Sequence, residues 1–185
     1  MKLTVFQFEG TPEELDASQV LNELTNPHRG SVTVISPALR VDSALPARIP
    51  GVADEGQETV RRLLSRSPAP GLFVRFLQEA TGWDNVGVYG IKRKNAAPGS
   101  PLDYGRYLRL RKQGSQWGGF AYVYAESSSI NLRLSHTAAE LQQLCMTTAR
   151  ILTTGHPAYR VSVDLTDETS LADALRLAEL AYNAT

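Results

Sequence analysis

The chain has 185 residues, 42% of them apolar and 21% charged, which is enough for a folded core and excludes wholesale disorder. Its one cysteine excludes an internal disulfide framework and a cysteine-based zinc finger. No apolar run approaches the ~18 residues of a membrane-spanning helix, and MKLTVFQFEG turns polar too early for a secretory leader. A cytoplasmic protein with no membrane partner is therefore expected.

Nineteen Lys and Arg balance 19 Asp and Glu, but the zero is uneven. Residues 1–60 carry 4 basic and 9 acidic side chains, residues 61–116 carry 11 and 3, and residues 117–185 carry 4 and 7. A cationic middle third points to an anionic partner, unless the acidic flanks neutralise it internally.

In chain order, Met1 to Phe8 alternates as a strand. Thr11-Pro12-Glu13-Glu14 is a capping box opening a helix that runs to about Leu24 and stops at Asn26-Pro27. Ser31 to Ile35 is a second strand. The Pro-rich stretch 36–53 is a loop and the best internal boundary, dividing a strand–helix–strand segment (1–53) from a basic central and C-terminal α+β domain (54–185), with a single domain throughout as the alternative. Two short helices follow, Gln57 to Ser65 and Leu72 to Thr81, separated by Ser67-Pro68-Ala69-Pro70-Gly71. Strands are predicted over Val86 to Lys94, Tyr104 to Lys112, Gly119 to Ala125 and Ile130 to Ser135. Thr137 and Glu140 form a second capping box, whose helix carries Leu141, Leu144, Cys145, Thr148, Ile151 and Leu152 inward to about Gly155. In that setting Cys145 is a packing residue. Tyr159 to Leu165 is a half-buried strand, and a last helix starts near Glu168. The fold class is α+β, a mainly antiparallel sheet with helices packed on one face.

No phosphate-binding glycine loop, dinucleotide turn, nucleophile elbow or HExxH pair occurs, so no catalytic residue, metal ligand or cofactor is assigned. His28, His136 and His156 are too scattered for a metal triad read from spacing.

Helix, turn, helix and hairpin is the order of a winged helix, here over residues 56–112. On that reading Arg75 and Gln78, at i and i+3, reach base edges. Lys92, Arg93 and Lys94 on one arm, with Arg106, Arg109, Arg111 and Lys112 on the other, reach phosphates. A second surface is possible on strand parity. Tyr107, Arg109 and Arg111 stand opposite Leu108 and Leu110, and Arg133 and Arg160 stand opposite Leu132, Leu134, Val161 and Val163. If these strands are neighbours, they make a face of arginine and tyrosine suited to single-stranded nucleic acid. Tyr122 and Tyr124 share a parity with Phe120, which favours the core for them and leaves the surface as the alternative.

Arg106-Tyr107-Leu108-Arg109-Leu110, Phe120-Ala121-Tyr122-Val123, Asn131-Leu132-Arg133-Leu134, Gly155-His156, Tyr159-Arg160-Val161 and Leu180-Ala181-Tyr182 carry a resemblance. Through them, residues 104–185 resemble a small domain of unknown function found beside restriction and predicted transport proteins. The resemblance implies no activity, but it associates the chain with DNA-handling systems. The expectation is a non-catalytic nucleic-acid-binding protein, most simply DNA-binding, such as a regulator or a component of a DNA-defence or mobile-element system. The alternative is an interaction module for an acidic protein partner or a second copy of itself.

Overall fold

Residues 45–185 are described by a computed structural model. The first strand, the helix from Thr11 and the strand at 31–35 lie outside the described residues.

The described chain enters through a loop pinned by one side chain. Gln57 accepts from the Ile49 N–H at 2.8 Å and donates to the carbonyls of Ile49 (3.1 Å) and Val52 (2.6 Å). Ile49 and Val52 are thereby held in the core. Helix α1 (Asp54–Leu64) carries Asp54 and Glu55 in its first turn and Arg61 and Arg62 in its last, matching the helix dipole at both ends. Its inward stripe is Gly56, Val60 and Leu64, at i, i+4 and i+8. Gly56 lies under the Tyr104 ring, where a Cβ would come within 2.6 Å of the ring carbons. Helix α2 (Pro70–Thr81) starts on a proline, which suits the first helical position, and buries Phe73, Val74, Phe76, Leu77 and Ala80.

Six strands follow: β1 (Val86–Tyr89), β2 (Leu108–Lys112), β3 (Ala121–Tyr124), β4 (Ser129–Leu132), β5 (Ala149–Ile151) and β6 (Val161–Asp164). They form one antiparallel sheet in the order β1-β2-β3-β4-β6-β5. The fold is α+β, as the alternation predicts. A short helix α3 (Ala138–Gln143) precedes β5, and helix α4 (Glu168–Asn183) closes the chain. Helix α4 packs on α2 and on β4, β5 and β6. Val88, Leu108, Leu110, Val123, Ile130, Leu132, Val161 and Val163 make the apolar face beneath the helices.

The helix predicted from Thr137 to about Gly155 is shorter than its pattern. Its capping box is present, with Thr137 accepting from the Glu140 N–H and Glu140 from the Thr137 N–H. It ends at Gln143 because Cys145 takes a left-handed conformation (φ 55°). The β-branched run Thr147-Thr148 and Ile151 then favours extension. Thr148 anchors to Asp173 of α4 through its hydroxyl (2.8 Å), and Ala149–Ile151 becomes an edge strand on β6. Cys145 is consequently exposed and is not a packing residue. The arms of the β1–β2 hairpin are also shorter than expected, and only the Ile91–Asp103 bridge extends their pairing into the 90–107 connection.

Candidate nucleic-acid interface

Strand pleating sends alternate side chains to the face opposite the helices. The register lines them into a row across the whole sheet: Tyr89, Arg109, Tyr122, Asn131, Ser162 and Arg150. Tyr124 and Ser129 lie in the next row, with Tyr107 at the start of β2 reaching Tyr122 (centroids 5.3 Å apart) and Tyr124 (5.5 Å). Tyr159, from the turn before β6, packs edge-on against Tyr122 at 4.5 Å. Burial, and then the neighbouring Tyr159 hydroxyl, push the Tyr122 phenol up to about 12. Burial likewise raises the Tyr124 phenol. Both rings stay protonated, neutral and able to stack at neutral pH.

The charge on this face is one-sided. Asp164 is engaged: Ser129 donates to it at 2.6 Å and Arg150 pairs with it at 2.5 Å. The Ser129 hydrogen bond, then Arg150, hold its carboxyl below the usual range. Arg109, Arg111 and Arg133 have no carboxylate within ion-pair distance among the described residues. Arg109 Nε, Arg111 Nε and Arg133 Nη1 are shielded from solvent without a hydrogen-bond partner among those residues. Arg111 donates through another nitrogen to the Ser115 carbonyl at 2.9 Å. The connection between β2 and β3 folds back over this end of the sheet. Gly119 allows the close approach, because a Cβ there would sit 2.7 Å from Arg109 Cγ and 2.9 Å from the Leu110 carbonyl oxygen. Trp117, in the same connection, lies flat over Arg133, with the guanidinium carbon 3.2 Å from the ring centroid.

The ten residues singled out from sequence divide into three places. Tyr107, Arg109 and Arg111 share the open face of the sheet. Lys92, Arg93, Lys94 and Arg106 are exposed in the 90–107 connection, where Arg93 pairs with Asp103 at 2.9 Å. The Gly105 N–H, then Arg93, hold the Asp103 carboxyl below its ordinary value. Arg75, Gln78 and Lys112 are on the helix side. Arg75 pairs with Glu168 of α4 at 2.5 Å, and Lys112 Nζ stands 4.4 Å over the Tyr182 ring. The helix–turn–helix–hairpin order is present, but its strands open a six-stranded sheet, with Arg75, Gln78 and Lys112 on the helix side and Arg109 and Arg111 on the other. Sequence parity missed Tyr122 and Tyr124, and nothing in it pointed to Trp117 or Tyr159. No protein-family model, curated protein or solved structure matches this chain.

Proposed function

We propose that this is a non-catalytic nucleic-acid-binding protein that holds a single strand, most simply of DNA, across the open face of its sheet. The observation that carries this reading is the interleaving of Tyr107, Tyr122 and Tyr124 with Arg109, Arg111 and Arg133, which lack carboxylate partners among the described residues. Tyrosine rings accept bases of any sequence by stacking, and the guanidinium groups, unpaired with any carboxylate among the described residues, meet phosphates through nitrogens other than the shielded ones. Lys92, Lys94 and Arg106 extend the positive potential beyond the Tyr107 end of the face. The resemblance of residues 104–185 to a domain found beside restriction proteins agrees with DNA as the ligand. A flat, two-dimensional face suits splayed bases better than the grooves of a duplex.

The test is a fluorescence-anisotropy titration of labelled single-stranded and duplex oligonucleotides at low and moderate salt. Single strands should bind more tightly, with a log–log salt slope of about −2 if three arginines each neutralise one phosphate. Arg109→Glu should weaken binding and flatten that slope, whereas Arg75→Glu, on the helix side, should leave both unchanged. Tyr107→Ala should lower affinity about 5- to 150-fold, the value of one stacked base. Absence of binding by the folded protein at low salt would contradict the proposal. The cationic face would then fit an acidic protein partner or a second copy of the chain.

A further inference from the structure

At the end of the sheet beyond the tyrosines lies a cleft of about 410 Å³ whose wall includes Trp117, Arg133, Leu134, His136, Glu140 and, from the last turns of α4 on the helix side, Leu180. Trp117 is 52% exposed, an unusual position for the largest apolar side chain. One face of its ring is already covered by the Arg133 guanidinium, so the exposure belongs to the other face and the edge. Leu180 is also exposed at the cleft, which the buried Leu134 lines as well. The cleft therefore offers a flat aromatic platform, held by a cation from behind, beside a small apolar wall.

Resting on the nucleic-acid reading above, we infer that this cleft is a base-stacking subsite, in which one nucleobase lies on the free face of Trp117. Charge decides which part of a nucleotide enters. Glu140 lines the cleft, and hydrogen bonds from the Thr137 N–H and hydroxyl hold its carboxyl below the usual range, so it is anionic at neutral pH. A phosphate would meet that charge at close range, whereas a neutral base offers ring and exocyclic N–H groups to the carboxylate. Phosphates then remain on the tyrosine side of the cleft, with Arg109 and Arg111. Arg133 supports the indole from its covered face. The three stacking stations, Tyr107 with Tyr124, then Tyr122, then Trp117, run along the direction of β2 and β3, which sets one path for the chain of bases.

The chain has two tryptophans, and Trp83 is packed against Phe120 and Tyr182. Trp83→Phe thus leaves Trp117 as the sole indole reporter. In this variant, titration with single-stranded oligothymidylate is followed by anisotropy of a label on the oligonucleotide and by Trp117 emission. The inference expects emission to fall with the same midpoint as the anisotropy rises. Trp117→Ala should weaken binding about 5- to 150-fold, with Trp117→Phe retaining most of the affinity. Circular dichroism confirms that each variant is folded. If anisotropy rises while Trp117 emission stays constant and Trp117→Ala binds as the parent does, the cleft is no base site, and binding by the tyrosine face stands. If anisotropy does not rise at all, the subsite and the nucleic-acid reading fall together.

Discussion

Tyr122 sits at the centre of the proposed interface, and its ionisation reports how closed that centre is. Its phenol is raised to about 12 from 10.0, by burial first and by Tyr159 second. The folded protein therefore holds this proton more tightly than the unfolded chain does. Its contribution to stability is complete below pH 10 and is lost as pH rises from there toward about 12. In a spectrophotometric titration, Tyr122→Phe should remove a phenolate step from the high-pH end of the curve, leaving the earlier steps in place. Loss of an earlier step instead would show that the centre of the face is open to water. Residue parity along β2 made Tyr107, Arg109 and Arg111 legible beforehand, because Leu108 and Leu110 alternate with them. Tyr122 was ambiguous because Phe120 shares its parity. Gly118-Gly119 resolves this in the structure: the chain turns there, and Phe120 falls among Trp83 and Tyr182 on the helix side. Trp117 was illegible, since a loop residue has no periodicity and its partner Arg133 is met only through the β3–β4 pairing.

Among the elements, helix ends were read well where side chains cap them and poorly where the backbone alone turns. Thr137 and Glu140 form the expected capping box, and Thr137→Ala should cost about 1 kcal/mol in urea denaturation, with the slope unchanged. An unaltered midpoint would mean that α3 adds nothing to the stability of the fold. The box fixes where α3 starts and says nothing of where it stops. Eight residues after Thr137, a left-handed Cys145 and the β-branched residues after it commit the chain to β5, which pairs with β6 at the sheet edge. Apolar spacing over 141–152 fits a helix equally well, so only tertiary pairing separates the two. Helix α4 also begins at a capping box, Asp167 with Ser170. Strands β2, β3 and β4 were legible because each alternates buried and half-buried residues, whereas β6 alternates in sequence but buries Val161, Ser162 and Val163 in a row.

At the scale of the molecule, the segregation of charge along the chain becomes a segregation between two sides of a sheet. On the helix side Arg75 is paired with Glu168, so part of the cationic middle third is neutralised internally, while Lys112 keeps its charge over the Tyr182 ring. What remains outward is Arg62 and Arg66, at the end of α1 and in the turn after it, the exposed cations of the 90–107 connection, and Arg109 and Arg111, joined by Arg133 from outside that segment. Aromatic rings accompany these arginines on the open side, and this pairing distinguishes the face from an ordinary solvated sheet surface. Its location is testable without any variant. A single-stranded oligonucleotide carrying 5-iodouracil is bound to the full chain, irradiated, and the crosslinked peptides are mapped by mass spectrometry. Crosslinks should concentrate at Tyr107, Tyr122 and Tyr124 on the open face. Crosslinks confined to the helix side around Arg75 and Gln78, or none at saturating ligand, would contradict the account.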